Sequence, residues 1–372
     1  MPIYRPSHGG NLVWAASLAN CSPDAILDFS ASINPLGPPP SAIAAIQAAV
    51  GDLNAYPDPT YSQLCCAIGD YHQIPSEWIL PGNGSAELLT WACRELAALD
   101  VTLLLTPAFS DYRRALTAFG ATVEECPLKK WRVASGEWRM TEGAISQIPI
   151  VNRQSSIITR SGLLLNNPHN PTGKLFTRDA IAPYLDQFEL VVVDEAFMDF
   201  LPPGEDESVI DWVQQYPNLV VLRSLTKFYS LPGLRLGYAI AHPERIQRWQ
   251  KWRDPWSVNS LAAAVGSVVL QDTAFQQQTW DWLATTRPTF QQQLASIPGL
   301  QPLPSAANFF LVHSDRSVPE LQANLLKHHQ ILIRDCMSFP ELGDRYFRVA
   351  IRTAEDNQRL VDALSKAIGD GQ

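Results

Sequence analysis

The densest chemistry in this chain is Ser224-Leu225-Thr226-Lys227-Phe228-Tyr229, followed by Pro232-Gly233-Leu234-Arg235-Leu236-Gly237-Tyr238. A lysine at a strand end forms a Schiff base with a carbonyl when burial or nearby cations lower its pKa. Ser224, Thr226 and Arg235 add two hydroxyls and a guanidinium, the donors that a phosphate dianion takes up. A lone lysine in a turn is ordinarily a solvated surface cation. The donors flanking Lys227 overturn that reading and point to carbonyl chemistry beside a phosphate site.

Three further segments carry polar groups at telling places. Leu80-Pro81-Gly82-Asn83-Gly84-Ser85-Ala86-Glu87 sets glycines before a helix start, where free backbone N–H groups and the positive end of the helix dipole attract an anion and Ser85 adds a hydroxyl. Glu87 stands where a dinucleotide fingerprint needs its third glycine and no strand is evident before the loop, so a dinucleotide site is disfavoured. By itself this loop is equally compatible with a plain helix cap. Asn166-Asn167-Pro168-His169-Asn170-Pro171-Thr172-Gly173 is a polar turn at the end of an apolar run, which alone reads as a rigid β-turn. Val191-Val192-Val193-Asp194-Glu195-Ala196-Phe197 ends a buried strand on an aspartate, which needs a cationic partner to offset its desolvation. A protonated pyridine nitrogen is such a partner.

These groups need a scaffold, and the middle of the chain supplies one by alternating short apolar runs with longer amphipathic stretches, the pattern of an α/β fold around a mostly parallel sheet. The spacing predicts strands at Thr102 to Thr106, Gly162 to Asn166, Leu190 to Val193, Leu219 to Arg223 and Leu236 to Ala241; four of the five are rich in Leu and Val, as buried parallel strands are. Pro107, Asn167-Pro168, Asp194-Glu195 and Ser224 follow the strand ends, where ligand groups collect in open α/β sheets. From about Gly266 the texture changes to Gln-rich, Trp-containing helix, with Phe275 to Leu283 and Phe290 to Ala295 read as helical. Strand-like segments follow at Asn308 to Val312 and Tyr346 to Ile351, then a helix over Ala354 to Ile368 with Leu360, Val361, Leu364 and Ile368 on one face. Residues 1–40 are expected to form an N-terminal arm packing on the small domain, with a helix beginning near Ser41, residues 41–265 a large domain and 266–372 a smaller α+β domain. No internal repeat or low-complexity tract is evident.

Length and composition bound the rest. The chain has 372 residues, enough for about two domains, and its 46% hydrophobic and 17% charged content is that of a packed globular protein. A formal net charge of −9 repels nucleic acid and anionic lipid, and no basic run offsets it. Six scattered cysteines lack a C-x-x-C pair, which points to reduced thiols in a cytoplasmic protein without a metal site. The N-terminus lacks the apolar core of a signal peptide, and no stretch approaches the ~20 apolar residues of a membrane helix.

The series GNGSAE, NNPHNPTG, DEAF and SLTKFYSLPGLRLGY resembles the fold-type-I pyridoxal-phosphate enzymes of the histidinol-phosphate aminotransferase group. His8-Gly9-Gly10-Asn11, the stretch from Asp28 to Gly37, Trp256-Ser257-Val258-Asn259 and Ile331-Leu332-Ile333-Arg334 resemble the branch that decarboxylates O-phospho-L-threonine for cobalamin assembly. The likeness runs from about residue 8 to 368. It implies pyridoxal 5'-phosphate as cofactor, held as a Schiff base by Lys227, with Asp194 on the pyridinium nitrogen, Asn170 on the ring hydroxyl and Phe109 stacked on the ring beside Tyr112. Ser85, Ala86, Ser224 and Arg235 would hold the cofactor phosphate, and Tyr56 would reach the phosphate of a neighbouring subunit, which implies a homodimer.

For a small phosphorylated amino acid as substrate, the resemblance implies Arg334 and Arg348 on the side-chain phosphate and the α-carboxylate, with His8 and Asn34 completing the phosphate pocket and Asn170 reaching the substrate. The pattern departs from the group at Ser85-Ala86, where an acidic or hydroxyl residue is common, and at Phe197, where the aminotransferases often carry a tyrosine. The missing phenol leans toward the decarboxylase. Transamination of histidinol phosphate or a related amino acid remains the alternative, because the bond that breaks is whichever stands perpendicular to the cofactor ring. An idle binding module on the same scaffold is disfavoured, since it has no need of Lys227, Asp194 and Asn170 together.

Overall fold

A computed structural model describes residues 6, 8–128, 132–134, 137–139 and 160–369. They gather into two compact units. One comprises Leu36–Asn170 and Leu175–Gln278; the other comprises Met1–Pro35, Pro171–Lys174 and Thr279–Gln372.

The larger unit is built on a sheet of seven strands: β1 (Ile79–Asn83), β2 (Val101–Thr106), β3 (Val123–Pro127), β4 (Ser161–Asn166), β5 (Leu190–Asp194), β6 (Leu219–Ser224) and β7 (Leu236–Ala241). Their spatial order is β1-β7-β6-β5-β4-β2-β3. β6, β5, β4, β2 and β3 run parallel, whereas β7 is antiparallel to both of its neighbours. All five strands read from the sequence are present. The antiparallel one, Leu-Gly-Tyr-Ala-Ile-Ala, is the strand without the Leu and Val run of the others. Helices cover the sheet through a core that includes Leu88, Leu104, Leu164, Val192, Val220, Leu222, Ala239 and Trp249.

Two expectations are corrected. A strand does run directly into the Gly84-Ser85 turn: β1 pairs with β7, its apolar Ile79 and Leu80 too short a run to stand out before Pro81-Gly82. The two helical segments after residue 270 are one helix, Thr273–Ala295, whose single interior proline, Pro288, does not divide it.

The smaller unit carries a four-stranded antiparallel sheet of β8 (Leu300–Pro302), β9 (Phe309–Ser314), β10 (Arg334–Asp335) and β11 (Tyr346–Ala350), in the order β8-β9-β11-β10. The helices Val318–His329 and Ala354–Gly369 pack beside each other, and Leu12–Ala19 packs on the first of them through Ala15, Ala16 and Leu326. Leu27–Asp28 forms a short parallel pair with Ile331–Leu332.

Gly237 on β7 lies close against the backbones of Gly84-Ser85 and Arg223. A Cβ there would stand 2.5 Å from the Ser85 nitrogen and 2.7 Å from the Arg223 carbonyl oxygen. Neither atom is the flexible end of a side chain, so the strands themselves would have to part. Gly237→Ala is expected to destabilise the protein by about 1–3 kcal/mol, the usual cost of overpacking. Differential scanning calorimetry reads the result, and an unchanged melting temperature would show that the strands separate freely here.

Candidate active site

Parallel strands deliver their C-terminal residues to one edge of the sheet, and the register places Asn166 beside Asp194 and Asp194 beside Leu222. Asp194 ends β5 half-buried. Its Oδ2 accepts from the Tyr112 hydroxyl at 2.7 Å and its Oδ1 from the Ala196 amide at 3.0 Å. Burial raises the Asp194 carboxyl pKa, while the Lys227 ammonium and the Tyr112 hydroxyl pull it back. A carboxylate kept at such a cost, and still accessible, suits a cation seated against it.

Lys227 lies three residues beyond β6. Its Nζ is 3.5 Å from Ser224 Oγ and 5.0 Å from the centre of the Phe197 ring, so Phe197 presents a π face to the amine. Ser224 Oγ and Thr226 Oγ1 are hydrogen-bonded at 2.7 Å. Register pairs Ser224 with Gly237, and Leu236 with Asn83. The phosphate-type donors predicted from distant segments therefore do converge. Gly84 adopts φ 73°, and a Cβ on it would overlap the Arg235 guanidinium, so the missing side chain is what admits Arg235 to the start of helix Ser85–Leu96. The loop also serves as a cap, since Glu87 Oε2 accepts from the Asn83 amide at 2.6 Å.

Phe109 meets Tyr112 edge to face, with ring centres 5.7 Å apart. Asn170 is buried in the turn after β4. That turn is held by Asn167, whose side chain donates to the Phe176 carbonyl and accepts from its amide, both at 2.9 Å. Ala86 follows Ser85 in the first turn of its helix. Tyr56 is 78% exposed and stacks on Trp256 at 4.4 Å.

In the smaller unit, Arg334 on β10 lies directly opposite Arg348 on β11. Arg334 donates to the Pro6 carbonyl at 3.0 Å and to Ser338 Oγ at 2.6 Å; Arg348 donates to the Ser30 carbonyl at 3.4 Å and its guanidinium lies 4.9 Å from the Phe309 ring centre. Burial lowers the pKa of both, and for Arg348 the neighbouring Arg334 cation lowers it further, to about 10. A small cavity is lined by His8, Gly9, Gly10, Ser30 and Arg334 among others. Asn34 is buried and donates to Thr279 Oγ1 at 2.9 Å.

Sequence reasoning missed two features. Tyr112 was placed near the ring, but its hydrogen bond to Asp194 depends on the β2–β5 arrangement and has no local signature. Behind the strand ends lies a buried cluster in which Arg223 pairs with Glu195 at 2.9 Å and with Asp199, and also donates to Ser208 Oγ at 3.0 Å. Burial works against the Arg223 cation, but the two carboxylates outweigh it and hold its pKa above its ordinary value. Charged residues at positions 195, 199 and 223 in apolar surroundings could have signalled it.

Residues 24–364 match the model of the family "Aminotransferase class I and II", so the chain belongs to that family, a class of pyridoxal-phosphate-dependent enzymes of fold type I. The resemblance drawn from the motifs is thereby borne out. Among its relatives, the chain is 38% identical to the threonine-phosphate decarboxylase of Salmonella typhimurium, over 99% of this chain and 98% of that one. It is 35% identical to a histidinol-phosphate aminotransferase of Symbiobacterium thermophilum, over 91% and 89% respectively. The crystal structure of the histidinol-phosphate aminotransferase from Clostridium acetobutylicum superposes with a TM-score of 0.82 at 27% identity, covering 93% of this chain and all of that one. The residues fit the cofactor: an accessible carboxylate for a pyridinium, an amine beside it, and hydroxyls, a guanidinium and a helix start for a phosphate.

A carboxyl whose folded-state pKa is raised favours folding below the ordinary aspartate range and loses that contribution as pH rises through the shifted value. Above the shifted value, ionised Asp194 therefore works against the cofactor-free fold. Asp194→Asn is expected to leave cofactor-free protein at least as heat-stable as the wild type while weakening cofactor retention tenfold or more, on the order of a charge-assisted hydrogen bond. Calorimetry and dialysis followed by absorbance check the two halves; tight retention by the variant would remove Asp194 from the role.

Proposed function

We propose that this chain decarboxylates O-phospho-L-threonine to (R)-1-aminopropan-2-yl phosphate, a step of cobalamin assembly. The observation that carries the reading is the pair Arg334, buried, and Arg348, half-buried, directly opposite each other on neighbouring strands. Like charges so placed oppose folding, and a ligand bearing two anionic groups relieves both. O-phospho-L-threonine carries a phosphate and a carboxylate on one small skeleton. The whole-length similarity to the Salmonella relative supports the same substrate.

In this reading Lys227, Asp194, Asn170, Phe109, Ser85, Ala86, Ser224 and Arg235 hold the cofactor, which when bound supplies an electron sink for the pair left as a bond at the substrate Cα breaks. Arg334, His8 and Asn34 bind the phosphate and Arg348 the carboxylate, with Asn170 reaching the substrate. Their task is orientation, because the Cα substituent held perpendicular to the ring is the one lost. The Lys227 amine delivers a proton to Cα once the carboxylate has left. Tyr56, exposed beside Trp256, would serve the cofactor phosphate of a second copy in a homodimer acting in the cytoplasm.

The similarity to the Symbiobacterium relative favours a second reading, transamination of histidinol phosphate. There the same anchors hold the Cα–H bond upright and Lys227 shuttles that proton. A single-turnover incubation of cofactor-loaded protein with O-phospho-L-threonine separates the two. The expected outcome is one equivalent of carbon dioxide with the cofactor absorbance restored, and no carbon dioxide from Lys227→Ala. Conversion of the cofactor to its amine form without carbon dioxide would make the chain a transaminase.

A further inference from the structure

The smaller unit contains a contact that the substrate reading does not use. Residues 27–29 are laced between residues 330–332, just ahead of β10, and Ala350, the last residue of β11. On one side the Leu27 amide donates to the Gln330 carbonyl and the Phe29 amide to the Leu332 carbonyl, each at 2.8 Å, just ahead of Arg334. On the other, the Ala350 amide donates to the Phe29 carbonyl at 2.9 Å, two residues beyond Arg348. Ser30 follows this lace and is buried.

Its hydroxyl is fully engaged. Ser30 Oγ donates to Asp28 Oδ1 at 2.6 Å, and the Ser30 amide donates to the same oxygen at 2.7 Å, which fixes that oxygen as the acceptor. The hydroxyl lone pair then accepts from the Gly10 amide at 2.8 Å. The preceding residue, Gly9, lies so close that a Cβ on it would overlap the Ser30 carbonyl. That same carbonyl accepts from Arg348 at 3.4 Å. One residue thus touches the backbone behind His8 through its hydroxyl and the second arginine through its carbonyl.

We propose that Ser30 is a positioning residue for substrate: its hydroxyl, oriented by Asp28, holds the His8-Gly9-Gly10 segment in register with Arg334 and Arg348. The inference rests on the reading of His8 and Arg334 as a phosphate pocket. It also gives Gly9 a reason, since the segment can lie flush against Ser30 only without a side chain there. A terminal segment of a chain orders only where it is tied down, and this hydroxyl is such a tie.

The test measures competitive inhibition by inorganic phosphate, together with the dissociation constant of O-phospho-L-threonine from the change in cofactor absorbance. The absorbance readout holds whether the chain decarboxylates or transaminates. Ser30→Ala is expected to weaken both by roughly three- to tenfold, the scale of one net hydrogen bond, with kcat at saturating substrate changed far less. Placed in a His8→Ala background, it should change phosphate inhibition less than about twofold, because its effect on phosphate passes through His8. If Ser30→Ala fails to fold, Gly9→Ala, which lifts the segment while leaving the Ser30–Asp28 bond in place, is expected to give the same loss. An equal loss from Ser30→Ala with and without His8, or no loss from a folded variant, overturns the role of Ser30. If His8→Ala and Arg334→Ala themselves leave phosphate inhibition unchanged, the phosphate pocket falls and the role of Ser30 with it.

Discussion

A carboxylate at the end of a buried parallel strand is costly unless a cation meets it, and the larger unit is organised around that constraint. Asp194 is the last residue of β5, the middle strand of the seven-stranded sheet. Tyr112 and the Ala196 amide satisfy its oxygens, and Lys227 lies near enough to lower its pKa. These partners do not fully offset burial. The residual unfavourable term is what a pyridinium seated against Asp194, as proposed, would recover. The adjacent Glu195 meets its own cation within the protein, through Arg223, and the strand end is thereby fixed on one side and left open to ligand on the other.

The smaller unit applies the same principle with the opposite sign. Arg334 and Arg348 face each other across β10 and β11, and burial depresses both pKa values. Backbone and hydroxyl oxygens from Pro6, Ser30 and Ser338 stabilise the guanidinium protons without cancelling their charge. Neutral acceptors of this kind orient a cation, and the Asp335 and Asp28 carboxylates offset part of the burial on Arg334 and Arg348 respectively.

Much of this was legible in the sequence because the informative residues lie at strand ends. Lys227 with Ser224, Thr226 and Arg235 is a local pattern, and so are the five Leu- and Val-bearing or neighbouring strand segments. β1 was not legible, because Pro81-Gly82-Asn83 reads as a turn while it pairs in register with β7. The continuity of the helix Thr273–Ala295 was hidden by Pro288, which tertiary packing accommodates. Contacts between distant segments were illegible for a simpler reason: the Tyr112–Asp194 bond spans 82 positions and the Ser30–Gly10 bond spans 20, so neither follows from spacing.

The choice between losing carbon dioxide and moving a proton follows from the same division of labour. The cofactor-holding groups of the larger unit serve either reaction equally, since a pyridinium, a phosphate and an amine are common to both. In the proposed reading, discrimination falls to the groups assigned to the substrate, which belong to a short strand, its neighbour and an N-terminal segment. Phe197 fits that division, because a ring beside Lys227 Nζ supplies π density where a phenol would supply a proton. In the proposed reading the outcome is then set by the arginines and by the backbone that registers them.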